Sequence, residues 1–239
     1  MIIAEIIHRR RVPIALLLAA LLLLSGCALE EPKGTETAPT VNTIPIEPTM
    51  PDTTEDRKLL FVDYASYSGG YMEDMTDEPV ESVAAVLVKN VSNEYLDYAR
   101  LTFEIEGKQA TFEVTGLAAG SSAWVLEKNR LQVGTDAKYR FVDSASGYLG
   151  GVICQSEELT VTPGEGILTV RNETEVTMHD VYVYYKRVHE DGNYFGGITY
   201  RRSIGTLQPG EQVELVAGHC TPTGCRIVRI EWNKEELKQ

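Results

Sequence analysis

Apolar and polar residues alternate through most of the chain after residue 58. Ala99, Leu101, Phe103 and Ile105 fall on one face of an extended segment, with Tyr98, Arg100, Thr102 and Glu104 on the other. Successive side chains of a strand point to opposite faces, so this period of two predicts a half-buried antiparallel strand. Ala110, Phe112 and Val114 repeat it after a turn at Glu106-Gly107-Lys108. The unbroken run Val83-Ala84-Ala85-Val86-Leu87-Val88 reads as a strand buried on both faces. Further strands are expected at Leu59–Val62, Trp124–Leu126, Tyr139–Val142 and Val152–Cys154, with Gly, Asn, Asp and Pro between them. No window carries a helical stripe, the polar tail after Trp232 aside.

The second half repeats the first. At an offset of 82, Ile167-Leu168-Thr169-Val170-Arg171-Asn172 lies on Ala85-Val86-Leu87-Val88-Lys89-Asn90, and Val181, Val183 and Tyr185 lie on Ala99, Leu101 and Phe103. Leu207-Gln208-Pro209-Gly210 matches Leu117-Ala118-Ala119-Gly120 at an offset of 90. The hairpin around Glu190-Asp191-Gly192-Asn193 absorbs the difference, since lengthening a loop costs little entropy. Two copies of one all-β module are therefore expected, at residues 59–155 and 156–239. A strand ending in Asn, an alternating Val/Tyr strand, then Leu-x-Pro-Gly-Glu before another strand resembles FxLYD-type immunoglobulin-like domains. The likeness is best over residues 157–233; the first copy has Ala119 and Ser121 for the Pro and Glu. It implies tandem immunoglobulin-like antiparallel β-sandwiches with no enzymatic role.

The N-terminus has a different texture. His8-Arg9-Arg10-Arg11 precedes an apolar run from Val12 to Leu24, which ends in Leu24-Ser25-Gly26-Cys27. That run is too short to span a hydrocarbon core, which needs about 20 residues. The charged region, the run and the terminal box together resemble the lipobox of bacterial lipoprotein signal peptides. The resemblance implies cleavage before Cys27, with residues 1–26 as signal peptide and a diacylglycerol on the Cys27 thiol. Each buried methylene contributes about 0.8 kcal/mol, and two or more acyl chains anchor stably. The expected location is extracytoplasmic, held to the cell membrane by that lipid. Residues 27–58, with Pro32, Pro39, Pro45, Pro48 and Pro51 among Thr and acidic residues, read as a disordered linker.

Charge and cysteines narrow the partners. The net charge of −13 becomes −15 once Glu5, Arg9, Arg10 and Arg11 leave with residues 1–26. An acidic surface repels nucleic acid, so no nucleic-acid partner is expected. With Cys27 acylated, Cys154, Cys220 and Cys225 remain. Thr221-Pro222-Thr223-Gly224 are strong turn formers between apparent strands at Val213–Val216 and Ile227–Ile230. A Cys220–Cys225 disulfide across the mouth of that hairpin is expected, with Cys154 a thiol.

Few residues carry a recognisable chemistry. There is no Gly-x-Ser-x-Gly elbow and no phosphate-binding glycine loop before a helix. His179 and His189 flank one strand and stand too far apart to share a metal. Glu73, Asp74, Asp77, Glu78 and Glu81 crowd one loop without a calcium-motif spacing, and read as a solvated acidic loop. Asn90-Val91-Ser92 and Asn172-Glu173-Thr174 have the form of glycosylation acceptors. Their equivalent place in the repeat argues that each Asn bonds the backbone two residues on and shapes a turn. No catalytic residue, metal or cofactor is assigned.

The aromatics remain. Tyr182 and Tyr184 point away from Val183 and Tyr185, onto the outer face of their strand. With Tyr194, Phe195 and Tyr200 of the following hairpin they are candidates for a binding platform, since tyrosine joins apolar area to a polar tip. The same rings can instead cover cross-strand neighbours or fill the seam between modules. The expected function is non-catalytic: a lipid-anchored surface module that binds or assembles with an envelope protein or glycan polymer. The alternative is an accessory or hydrolase-related protein with a small-molecule cleft between the modules, which buried ionisable groups in a deep pocket would favour.

Overall fold

The computed structural model describes residues 40–44, 53, 54 and 56–234, all within one compact unit. The expected signal peptide at 1–26, the expected acylation site Cys27 and the tail after Lys234 lie outside the described residues. The chain is all-β, with no helix among the described residues. An edge strand β1 (Thr40–Ile44) precedes two sets of six. The first comprises β2 (Leu59–Gly70), β3 (Pro79–Asn90), β4 (Tyr95–Ile105), β5 (Lys108–Leu117), β6 (Ser122–Leu126) and β7 (Tyr139–Leu149). The second comprises β8 (Leu159–Pro163), β9 (Ile167–Asn172), β10 (Met178–Val188), β11 (Tyr194–Leu207), β12 (Gln212–Val216) and β13 (Cys225–Lys234).

Pairing follows the repeat. In the first set β2-β3-β6 faces β5-β4-β7; in the second β8-β9-β12 faces β11-β10-β13. Each is a β-sandwich around its own core, because the alternating residues of facing sheets must hide their apolar sides together. Phe61, Val86, Leu101, Phe103, Phe112 and Val125 are among the buried side chains of the first. Leu168, Val170, Val181, Val183, Tyr185 and Leu207 fill the second.

The sandwiches are not two beads on a string. A two-pair parallel contact, Ala123 with Tyr194 and Trp124 with Phe195, joins β6 to β11. It makes one seven-stranded sheet, β1-β2-β3-β6-β11-β10-β13, that crosses from one sandwich into the other. A third core lies behind it. Tyr67, Tyr71, Met72, Val83, Leu87 and Trp124 bury the far face of β2-β3-β6, and Phe195 of the second sandwich enters among them.

Two expectations change. Part of the segment expected to be a disordered linker, Thr40–Ile44, pairs antiparallel with β2 from Thr40↔Ser68 to Ile44↔Tyr64. Its sequence, TVNTI, is rich in β-branched residues, which suit a pleated edge better than a coil. The hairpin expected around Cys220 and Cys225 is absent: β12 pairs with β9 in one sheet and β13 with β10 in the other. The loop between them therefore crosses the sandwich, and the Cys220–Cys225 disulfide, with a Cα separation of 5.2 Å, closes that crossing inside the second core.

Candidate functional site

Asn90 and Asn172 show how alike the two copies are. Both are fully buried at the end of equivalent strands. Asn90 Oδ1 accepts from the Ser92 N–H at 3.1 Å and its hydroxyl at 2.7 Å, while Nδ2 donates to the carbonyls of Glu94 and Leu117. Asn172 Oδ1 accepts from Thr174 in the same way, and Nδ2 donates to Val176, Leu207 and Gln208. The paired Asn-x-Ser/Thr motifs are turn determinants in the structure, each using its amide at both ends.

The seam between the sandwiches holds the densest chemistry. Beyond Trp124 and Phe195 the strands β6 and β11 diverge, which leaves backbone groups without a ladder partner. A buried N–H or C=O must find one. The Glu73 carboxylate accepts from the Leu126 N–H at 2.8 Å and from the Gly197 N–H at 2.9 Å to both oxygens. On the opposite charge, Lys186 Nζ donates to the carbonyls of Thr115, Gly197 and Ile198 at 3.0, 3.0 and 2.6 Å. The fork is thus closed by a carboxylate on its donors and an ammonium on its acceptors. Burial pushes the Glu73 carboxyl up, against the pull of the N–H donors and Lys186. Burial likewise pushes the Lys186 ammonium down, against the pull of Glu73.

Glycine makes the approach possible. A Cβ on Gly197 would stand 1.8 Å from the Glu113 carbonyl oxygen, and one on Gly116 (φ +60) would stand 2.4 Å from Thr199 Oγ1. The acidic loop is exposed at Asp74, Glu78 and Glu81, as expected of a solvated loop, but Glu73 and Asp77 reach across the seam. Asp77 pairs with Arg187 at 3.1 Å and with His219 at 3.3 Å, while Asp74 and Glu78 hold Arg130. Trp124 Nε1–H donates to Asp191 Oδ2 at 2.9 Å in the β10–β11 hairpin, and Arg229 pairs with Asp97 at 3.2 Å. Among the described residues no group of three or more His, Cys, Asp or Glu side chains is set to hold a metal.

The five aromatic candidates are not gathered into one platform. Tyr194 is buried in the first core, Phe195 in the third beside Tyr67 and His189, and Tyr200 in the second, stacked between Tyr185 and His219. The reason is direction: Tyr200 pairs with the inward-facing Tyr185, and the hairpin tip carrying Tyr194 and Phe195 is drawn into the seam. Tyr182 and Tyr184 do lie on the outer face, both half-buried. Arg201 stacks on the Tyr182 ring at 4.0 Å and Arg229 on the Tyr184 ring at 5.0 Å. The Tyr184 hydroxyl donates to Glu231 at 2.8 Å.

Two hollows flank β13. One, of about 500 Å³, runs along Tyr182, Arg229, Glu231 and Asn233 beside Gly150-Gly151 of the β7–β8 connector. The other, of about 600 Å³, is bordered by Cys154, Leu159, Val161, Tyr194 and Arg226. The Cys154 thiol, free and pushed up by burial, donates to the Val228 carbonyl at 3.1 Å. Reading the sequence alone misses Lys186. It sits two places beyond Tyr184 on the same outward face, next to Arg187, and nothing in that pattern marks it as buried. No protein-family model matches the chain, and no curated protein sequence matches it.

Proposed function

We propose that the chain is a lipid-anchored surface protein whose fused immunoglobulin-like sandwiches act without catalysis, as a binding or assembly module for an envelope protein or polymer. The observation that carries the reading is how the charged groups are distributed. The strongly perturbed pair, Glu73 and Lys186, is occupied by backbone groups at the seam. On the outer face of β10, by contrast, Tyr182 is half-buried under Arg201, and Tyr184, packed against the first core, is held by Arg229 and Glu231. An enzyme or a small-molecule cleft at the seam would need those ionisable groups free to meet a substrate. A rigid double sandwich presenting an outer face needs only that the seam hold. The FxLYD likeness, which implies no enzymatic role, supports the same reading.

The test uses the full chain in cells. Cross-linking should capture an envelope component with the wild type, and Tyr182→Ala together with Arg201→Ala should reduce capture without changing protein level. Anchoring is tested beside it. Cys27→Ala should yield a soluble or unprocessed protein, because the lipid is the proposed anchor. A Cys27→Ala protein that stays membrane-bound after loss of residues 1–26 would overturn the anchor, and undiminished capture by the face variants would overturn the binding reading.

A further inference from the structure

The hollow of about 500 Å³ beside β13 lies within the range of ordinary small-molecule sites, roughly 300–1,000 Å³. Its polar side chains are already fixed by one another. Asn233 Nδ2 donates to Asp180 Oδ2 at 3.1 Å, Arg229 pairs with Asp97 and Glu231, and Tyr184 donates to Glu231. These bonds set directions while leaving capacity. The Asn233 side-chain carbonyl, the second Asp180 oxygen and the Tyr182 hydroxyl have no protein partner among the described residues. Groups held this way lose little freedom when a ligand arrives, which is the physical content of preorganisation.

The charges decide what kind of ligand fits. Asp180 and Glu231 line the hollow against the single cation Arg229, which Asp97 and Glu231 already occupy. An anion would meet net negative charge there. A compact cation would find only the second oxygen of Asp180, because Asp97 and Glu231 are already paired with Arg229. Hydroxyl groups, which donate and accept at once, match the remaining acceptors and the tyrosine hydroxyl. Tyr182 brings apolar ring surface to the hollow, while Trp232, alternating with Glu231 and Asn233, turns its side chain to the second core; a ring with a polar tip suits the C–H face of a pyranose. The glycine pair at the wall adds to this: a Cβ on Gly150 or Gly151 would meet nothing within 4 Å, so the connector leaves room for a ligand.

We infer that the hollow formed by Tyr182, Asp180, Arg229, Glu231 and Asn233 is a subsite for an uncharged saccharide chain. The inference rests on the binding reading above and gives that reading its ligand class. Sugar hydroxyls bond Asn233, Asp180 and Glu231, while the ring packs against the side of Tyr182 that Arg201 does not cover.

Titration of the full chain in mild detergent with N-acetylglucosamine tetramer and with cellotetraose tests it, read by calorimetry and by the emission of Trp232 in a Trp124→Phe background. Saturable binding of at least one is expected. Tyr182→Ala and Asn233→Ala should each weaken it by about tenfold, while Tyr182→Phe, which keeps the ring, should lose far less. Absence of saturable binding to both oligosaccharides overturns the inference, as does binding that ignores Tyr182→Ala and Asn233→Ala. If the chain passes over both neutral oligosaccharides yet still captures an envelope component through Tyr182, the saccharide subsite is wrong and the binding reading stands. If it does neither, both fall.

Discussion

Asn90 and Asn172 each hold a turn with one side chain, and the reason is hydrogen-bond supply. Asparagine offers an acceptor and two donors from one short amide, so it satisfies N–H groups ahead of it and carbonyls across the sandwich at once. Asn172→Ala leaves the carbonyls of Val176, Leu207 and Gln208 without that donor in a buried site. It is expected to cost about 2–3 kcal/mol, seen as a lower denaturant midpoint at unchanged slope. Asn172→Asp should be no better, because a carboxylate would face those carbonyls. Asp191 offers a pH test. Its partial burial alone would raise its pKa, but hydrogen bonds from Asn193, Trp124 and His189 hold it down to about 2, below its ordinary 3.8. A carboxylate with a depressed folded value adds stability that is complete above the unfolded value and lost as pH falls through the folded one. The emission of Trp124, recorded with Trp232→Phe, should therefore change between about pH 4 and pH 2. Asp191→Asn should remove that step, and a step that survives the substitution belongs to another group. Both asparagines were legible in the sequence through their equivalent places in the repeat. Lys186 was not, because alternation tells which side of a strand a residue faces and not whether that side meets water or another module.

Among the elements, the strands and their repeat could be read from period-two patterning, since each sandwich must bury one side of every strand. The offset of 82 that aligned Asn172 with Asn90 also aligns β9 with β3, and the sheet partners of the two strands correspond. What patterning could not supply was pairing between distant strands. β6 and β11 meet over two residue pairs, and the segment 196–198, with its two glycines, gives no sign of a partner some 70 residues earlier. The reach of Glu73 and Asp77 out of the acidic loop was hidden for the same reason: they and their partners Lys186, Arg187 and His219 are brought together only by the seam. The edge strand β1 was hidden by its prolines' neighbourhood, which reads as linker. The disulfide carries its own test. Mass spectrometry of unreduced, alkylated protein should find Cys220 and Cys225 joined and Cys154 modified. Alkylation of Cys154 should be slow at neutral pH, because burial raises its thiol and only the thiolate attacks. Cutting the link should cost about 2 kcal/mol, the entropy of so short a loop. An alkylatable Cys220 in oxidised protein would contradict the assignment.

At the scale of the whole molecule, the described sandwiches form one body through several independent contacts. These are the shared sheet, the third core entered by Phe195, the carboxylate and ammonium that close the fork, and the ion pairs of Asp77 and Asp97. Ion pairs at the surface of such a seam contribute little, about 0–1 kcal/mol each. Lys186 is different. Removing its ammonium would leave the carbonyls of Thr115, Gly197 and Ile198 without their donor, and a buried group orphaned in this way costs about 1–3 kcal/mol. The proposed binding face on β10 and β13 depends on this rigidity, since Arg229, which orders Glu231 and Tyr184, is itself held by Asp97 of the first sandwich. Scanning calorimetry of the full chain in mild detergent, compared with Gly197→Ala, tests that unity most directly. The wild type should give a single endotherm whose calorimetric and van't Hoff enthalpies agree. Gly197→Ala, whose Cβ cannot coexist with the Glu113 carbonyl, should split it into two. Two resolved endotherms in the wild type, or a Gly197→Ala variant that melts as one unit at the wild-type temperature, would contradict the account.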